Sequence, residues 1–171
     1  IPGLVNTHCH APMVYFRGLA DDLSLMEWLQ NHIWPAENRW MSAEFVRAAT
    51  ELACLEMLKA GITAFSDMYF FQDEVGNVAR SMGMRATLCS GVIDFPTATT
   101  TGPDDCIEKA VALIEKWKNT DRIRTGIGAH SVFTCCPDTL KKIRDAALGH
   151  DVLVHIHLSE TEFEVSEIMK N

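Results

Sequence analysis

The chain has 171 residues, 47% of them hydrophobic and 22% charged, a composition typical of one globular domain with a sizeable core. Its formal net charge of −8 argues against a nucleic-acid surface, because such surfaces are normally basic. We expect no membrane span and no signal peptide, since no long apolar run and no basic leader are visible.

The cysteines do not show the spacing of a disulfide framework. They are scattered along the chain, two of them are adjacent, and none falls in a CxxC pair. This distribution is typical of reduced thiols, so we expect a cytoplasmic protein. The six are Cys9, Cys54, Cys89, Cys106, Cys135 and Cys136.

Apolar periodicity and helix caps divide the chain into strands that alternate with helices. The first strand covers residues 4–8. The first long helix begins after Ser42, a good N-cap, and ends at Gly61. Further strands are predicted at 62–70, 84–95, 123–130 and 151–158, and further helices at 73–82, 103–119, 137–149 and 161–171.

This alternation predicts parallel strands joined by right-handed crossovers. Two architectures fit, an open doubly wound sheet and a (β/α)8 barrel. No G-x-G-x-x-G motif follows the first strand, and GIGAHS after the fourth does not match it, so a dinucleotide-binding sheet is not favoured. Five strands are too few to close a barrel, so the chain is either an unusual open sheet or part of something longer.

Polar residues recur where the predicted strands end, which is where catalytic residues lie in a (β/α)8 barrel. Among them we interpret Asp67 as structural, a hydrogen-bonding anchor for a loop. The residues are His8, His10, Asp67, His130, His157 and Glu160.

Residues 11–41 form a connection far longer than the roughly 2–6 residues usual between a strand and its helix. The stretch SLMEWLQNHIW within it has helical spacing. Long insertions at this end of α/β folds commonly form lids or bind substrate. A merely tolerated insertion is the alternative.

His8 and His10 are two residues apart, so on a strand their side chains project from the same face. His157 ends the run VLVHIHL, and Glu160 follows within one turn, where a carboxylate can act as acid and base. Three neutral imidazoles suit Zn²⁺ or Fe²⁺, which lowers the pKa of bound water to about 7 and yields hydroxide. A histidine pair in a polar loop is the alternative. His155, one pleat deeper, is expected in the core or beside the ligands.

Four stretches, PGLVNTHCHAPMVYFRGLADD, WPAE, GAHSVFTCCPDTL and HIHLSETEFEV, together resemble the amidohydrolase superfamily. The likeness is to its branch of 5′-methylthioadenosine/S-adenosylhomocysteine deaminases and their triazine-hydrolase relatives, and it runs over essentially the whole chain. The pattern PGxVNxHxH is highly specific for the superfamily. The resemblance implies a (β/α)8 barrel with one divalent metal at its C-terminal mouth, zinc first and iron as the alternative.

The resemblance also implies roles for individual residues. His8 and His10 match the metal pair of the first strand, and His157 matches the ligand of the fifth. Glu160 matches the glutamate that passes protons to the ring nitrogen and to the leaving amine.

Three further residues match substrate-contacting positions of the family. Glu37 matches a glutamate that binds ribose hydroxyls, Trp28 an aromatic residue of the nucleoside pocket, and His130 a substrate-contacting histidine after the fourth strand. Without the resemblance, Glu37 would be interpreted as a solvated helix-end carboxylate, Trp28 as core, and His130 as a capped strand-end residue.

Two departures from the family pattern restrict the predicted substrate and the part of the barrel that these residues represent. Ser90 stands where these deaminases can carry an arginine, which favours 5′-methylthioadenosine or another neutral nucleoside over S-adenosylhomocysteine. The family's metal-site histidine on the sixth strand, its aspartate on the eighth and its terminal β-sandwich are all missing from these residues.

We therefore predict that residues 1–171 are the N-terminal part, strands 1–5, of one metal-dependent hydrolase barrel. The intact enzyme should deaminate an adenine-type nucleoside by metal-hydroxide attack with release of ammonia. It is expected to be a homo-oligomer that binds neither nucleic acid nor membrane. The alternatives are a hydrolase of triazine, guanine or another aminated heterocycle, and a catalytically incomplete fragment.

Overall fold

The computed structural model describes residues 1–170 and contains five strands in one sheet, in the order β1-β2-β3-β4-β5, with every pair parallel. All five predicted strands are confirmed, with ends that differ by a few residues. The sequential order excludes the doubly wound alternative, in which strand order reverses within the sheet. The strands are β1 (Leu4–Cys9), β2 (Ile62–Tyr69), β3 (Arg85–Val92), β4 (Ile123–Ser131) and β5 (Leu153–His157).

The sheet is strongly curved. In a flat sheet of this order, β1 and β5 would lie about 19 Å apart, because neighbouring strands are spaced by about 4.8 Å. His10, just after β1, and His157, at the end of β5, instead bring their Nε2 atoms within 3.1 Å of each other. The five strands therefore form part of a (β/α)8 barrel, as predicted, with helices on the outside.

The helices between the strands follow their sequence signals. Ser42 caps α3 (Ala43–Lys59), because its Oγ accepts a hydrogen bond from Phe45 N at 3.1 Å. Gly76 lets α4 (Gln72–Ser81) approach the sheet, since a Cβ there would lie 2.7 Å from the Trp117 ring and 2.8 Å from Leu88. The helices are α1 (Leu25–Trp28), α2 (Trp34–Trp40), α3 (Ala43–Lys59), α4 (Gln72–Ser81), α5 (Pro103–Trp117), α6 (Pro137–His150) and α7 (Glu162–Ile168).

The long connection of residues 11–41 is more regular than a loop. It begins with a 3-10 helix (Ala11–Phe16). Further along the chain, α1, a π-helical turn (Leu29–Ile33) and α2 follow one another without a break. The helical spacing of SLMEWLQNHIW is confirmed, whereas α2 beyond it was not predicted. Phe16 stacks on Phe45 of α3, with ring centroids 5.3 Å apart, so the connection packs on the body of the fold.

The core lies between the sheet and its outer helices. One cluster includes Phe65, Leu88 and Trp117, and a second includes Ile127 and Ile143. None of the helices described for residues 1–170 is long and apolar enough to cross a membrane. The last predicted helix corresponds to α7, and Asn171 lies outside the described residues.

Candidate metal centre

The strand ends bring together the three histidines that the sequence predicted as ligands. One nitrogen from each of His8, His10 and His157 lies within 4.8 Å of the others. The ring centroids are 4.9 to 5.0 Å apart. The side chain of Cys9 points away from the cluster, so those of His8 and His10 on either side of it point towards the cluster. The end of β1 therefore supplies two of the three imidazoles.

The hydrogen bonds of His10 and His157 fix which nitrogen faces the centre. His10 Nδ1 lies 2.5 Å from Met68 O, and His157 Nδ1 lies 2.7 Å from His130 O. A carbonyl oxygen only accepts, so each Nδ1 carries the proton and each Nε2 presents a lone pair. These two Nε2 atoms are the pair 3.1 Å apart.

Two lone pairs this close repel unless a cation lies between them. Nitrogens bound at about 2.0–2.1 Å to one tetrahedral zinc ion are about 3.3 Å apart. Imidazole nitrogens are also the donors that zinc and similar ions prefer in proteins. The donor set of His8, His10 and His157 therefore fits a divalent transition metal.

His8 is held by a second histidine. Its Nδ1 lies 2.7 Å from His155 Nε2, and His155 Nδ1 lies 3.3 Å from Ser66 Oγ. When His8 donates to His155, the His8 Nε2 lone pair is left for the centre. The half-buried His155 thus lies beside the cluster, one of the two places expected for it.

Burial favours the neutral form of His8 and of His10. Burial lowers the pKa of His8 and of His10, and neighbouring histidine charges lower both further. The hydrogen bond to Met68 O raises the pKa of His10, and the carboxylate of Glu160 raises the pKa of both histidines, but these effects do not reverse that of burial. The neutral imidazole is the form that binds a metal.

Glu160 lies in the exposed turn between β5 and α7. Its backbone N–H donates to Glu164 Oε2 at 2.6 Å, and Glu164 N donates to Thr161 Oγ1 at 3.1 Å. This arrangement is close to a capping box, in which the first residue and the fourth bond each other's backbone. Sequence reasoning missed Glu164, although the spacing T-x-x-E in TEFE was a signal for it.

His130 lies beside the cluster at the end of β4. Its ring centroid is 5.2 Å from that of His157, and its Nδ1 lies 2.8 Å from Thr134 Oγ1. Burial, followed by the charges of His157 and His10, lowers the pKa of His130 to about 4. His130 is therefore a neutral imidazole at the carboxyl ends of the strands.

Glu37 is buried, which is not the solvated position that its sequence context alone would suggest. Its Oε1 accepts a hydrogen bond of 2.5 Å from the hydroxyl of Tyr69, the last residue of β2. Burial raises the pKa of Glu37 to about 7, and the hydrogen bond from Tyr69 opposes that rise. Sequence reasoning missed Tyr69, although its place at a strand end, two residues after Asp67, was a signal.

Trp28 is not brought to the histidines. The half-buried indole donates from Nε1 to Leu19 O at 3.0 Å, inside the long connection. None of its hydrogen bonds or ring contacts within residues 1–170 involves the cluster.

Asp67 anchors the turn that follows the first histidine pair, as predicted. The fully buried carboxylate accepts hydrogen bonds from Ala11 N at 2.5 Å and from Gln72 Nε2 at 2.6 Å. Burial raises the pKa of Asp67 to about 6, against the effect of these donors. The next residue, Met68, supplies the carbonyl for His10, so this piece of β2 holds the His10 turn at two points.

Comparison with known proteins finds relatives in sequence and in structure. A 5-methylthioadenosine/S-adenosylhomocysteine deaminase of Thermodesulfovibrio yellowstonii is 50% identical over 171 residues, which are 100% of this chain and 39% of that protein. A zinc-bound adenosine deaminase of Xanthomonas campestris superposes with a TM-score of 0.95 at 40% identity, over 99% of this chain and 39% of that one. The chain thus spans about two fifths of these relatives.

A triazine hydrolase from Arthrobacter aurescens shares the fold, with a TM-score of 0.84 at 20% identity over 94% of this chain and 41% of that one. The sequence model of the amidohydrolase family matches residues 1–171. With its curved parallel sheet and its histidine cluster at the carboxyl ends of the strands, the chain belongs to the amidohydrolase family.

Proposed function

We propose that the full-length protein is a zinc-dependent aminohydrolase that removes the amino group from the adenine ring of a nucleoside. The observation that carries this proposal is the convergence of three imidazole lone pairs beside Glu160. The 50% identity to a deaminase of adenine nucleosides supports the substrate class. When bound, zinc would supply a Lewis acid that makes water a nucleophile at neutral pH.

Glu160 is the proposed acid and base. Its carboxylate is exposed at the mouth and close enough to the ligands to affect the pKa of His8 and His10. We propose that it holds a proton for the ring nitrogen while water adds to the amine-bearing carbon. The proton that the adding water releases returns to Glu160, which then protonates the amine; the C–N bond breaks, ammonia leaves, and the added hydroxyl gives its proton back to Glu160 as the C=O bond forms.

Glu37, His130 and Trp28 are the proposed substrate contacts. Glu37 is suited to accept hydrogen bonds from ribose hydroxyls, because its carboxylate is buried and Tyr69 bonds only its Oε1. The neutral His130 can hydrogen-bond an uncharged base or the reacting group. The role of Trp28 stays a prediction, since its contacts lie within the long connection.

The preferred substrate in this proposal is 5′-methylthioadenosine. Ser90, half-buried in β3, brings no positive charge for the carboxylate of S-adenosylhomocysteine. The family resemblance implies a further histidine and a water-activating aspartate that residues 1–171 do not include. We therefore propose that activity requires more of the protein than these residues. The cytoplasmic location and the homo-oligomeric state stay predictions.

The test uses the full-length protein, stripped of metal and reloaded with zinc or iron. We expect loss of adenine absorbance with 5′-methylthioadenosine, slower loss with S-adenosylhomocysteine, and none with the metal-free protein. Guanine and an aminated triazine are included in the same panel. His10→Ala should abolish turnover, and His150→Ala on the outer helix α6 is the control. Turnover of guanine or triazine alone would overturn the nucleoside assignment.

A further inference from the structure

Tyr69 and Glu37 form a buried pair that joins the sheet to the long connection. Tyr69 ends β2 and Glu37 lies in α2, and their exposed fractions are 8% and 7%. The distance between the Tyr69 hydroxyl and Glu37 Oε1 is 2.5 Å, within the range of O–H to carboxylate bonds. The two residues are 32 positions apart, so this bond belongs to the tertiary fold.

The carboxyl group of Glu37 has unused accepting capacity. An ionised carboxylate can accept about four hydrogen bonds, and residues 1–170 give this one a single donor, the Tyr69 hydroxyl. No basic side chain among these residues forms an ion pair with it. A buried carboxylate so poorly satisfied carries a desolvation cost, which donors from a ligand would reduce.

Tyr69 also faces the histidines. Its ring centroid lies 6.0 Å from that of His10. One rigid side chain therefore spans from the candidate metal centre to the carboxylate, so it sets the distance between the two.

We propose that Tyr69 is a positioning residue that fixes Glu37 as the acceptor for the vicinal hydroxyls of a ribonucleoside, and so selects ribonucleosides over 2′,3′-dideoxynucleosides. With Oε1 held by Tyr69, the orientation of the carboxylate is set and Oε2 stays open for the sugar. The proposal rests on the proposed function for its substrate class.

The hydrogen bond also acts on the charge of Glu37. Burial raises the pKa of Glu37 to about 7, and the Tyr69 hydroxyl favours the ionised form. Tyr69 is the titratable group that faces the carboxylate from β2, while Arg39 on α2 itself lies over the Trp40 ring, 4.8 Å from its centroid. Loss of the hydroxyl should therefore raise the pKa of Glu37 further.

The first test compares Tyr69→Phe with Tyr15→Phe in the full-length zinc-loaded protein. Tyr15 is the other tyrosine of the chain, is exposed, and has no hydroxyl hydrogen bond within residues 1–170. For a ribonucleoside, we expect Tyr69→Phe to raise KM about tenfold, the size of one hydrogen bond to a charged group, with kcat nearly unchanged. For the 2′,3′-dideoxy analogue, KM should not change. Tyr15→Phe should match the unmodified protein on both substrates.

A second readout does not depend on turnover. The side-chain carboxyl carbons of ¹³C-labelled glutamate are titrated by NMR, and Glu37→Gln identifies the Glu37 signal by its loss. We expect the Glu37 pKa to rise in Tyr69→Phe and to stay unchanged in Tyr15→Phe. An unchanged Glu37 pKa, or equal losses on the ribo and dideoxy substrates, would overturn the role of Tyr69. If the unmodified protein turned over no nucleoside, the proposed function would fail and the titration would still decide whether Tyr69 sets the state of Glu37.

Discussion

His8 Nδ1 lies 2.7 Å from His155 Nε2, so a histidine on the last strand of the sheet fixes the ring of a histidine on the first. Side chains that bond the outer nitrogen of a ligating imidazole set its tautomer and orientation. Because His155 in turn contacts Ser66 Oγ on β2, the orientation of His8 depends on three strands. The cluster is thus held from outside as well as by its own strand ends.

Replacing His155 by Phe should weaken zinc binding of the full-length protein by about 10- to 100-fold, because His8 would lose the acceptor that holds its tautomer. Competition with a chromogenic chelator measures this affinity. His150→Phe is the matched control, since His150 lies on α6 and pairs with Glu115. Equal zinc affinity in His155→Phe and the unmodified protein would show that His155 has no supporting role.

Glu160→Gln should lower kcat at least a hundredfold, in line with the roughly 10²–10⁴-fold contribution of general acid–base catalysis. Zinc content should stay unchanged, because Glu160 does not belong to the group of three histidines that could hold the metal. The control is Glu162→Gln, an exposed carboxylate in the first turn of α7. Near-normal turnover of Glu160→Gln would remove Glu160 from the mechanism.

Glu164→Ala should lower kcat about tenfold, because the Glu160 backbone N–H would lose its acceptor and the turn that carries Glu160 would loosen. A double-mutant cycle separates positioning from general destabilisation. In the Glu160→Gln background, Glu164→Ala should have little further effect on kcat. Fully additive losses would assign Glu164 to the stability of α7 alone.

Asp67 should make stability fall with rising pH. Its folded pKa is about 6, above the roughly 3.9 of an unfolded aspartate, so between these values the folded state holds more proton. The stabilisation is complete below about pH 4 and is lost as the pH rises through 6, by about 3 kcal/mol in total.

Urea unfolding of the metal-free full-length protein measures this effect as the difference between the unmodified protein and Asp67→Asn. That difference in unfolding free energy should decline across the window of pH 4 to 7, whereas the exposed Asp138→Asn should give a curve parallel to the unmodified one. Parallel curves for Asp67→Asn would contradict the raised pKa.

The strands and the histidine pair could be predicted because their signals are local. Apolar runs closed by turn residues mark each strand, and the two-residue spacing of His8 and His10 determines that they share a face. The parallel arrangement follows from the alternation with helices. The strand order, which separates a curved barrel sheet from a doubly wound one, does not follow from the alternation, because it depends on contacts between strands that are far apart in the chain.

The supporting bonds could not be predicted, because they join residues far apart in the chain. The burial of Glu37 depends on Tyr69, 32 residues away, and the ring of His8 depends on His155, 147 residues away. Local pattern indicates which residues carry chemistry. It does not indicate which of them touch.

The position of His10 and His157 at the two ends of the sheet has a mechanical consequence. An ion bound to both would act as a cross-link that closes a loop of 147 residues. By the reasoning used for disulfides, a constraint over that length is worth about 5 kcal/mol of unfolded-chain entropy. Removal of the metal would then lower the free energy of unfolding by up to that amount, so the ion would stabilise the fold in addition to its chemical role.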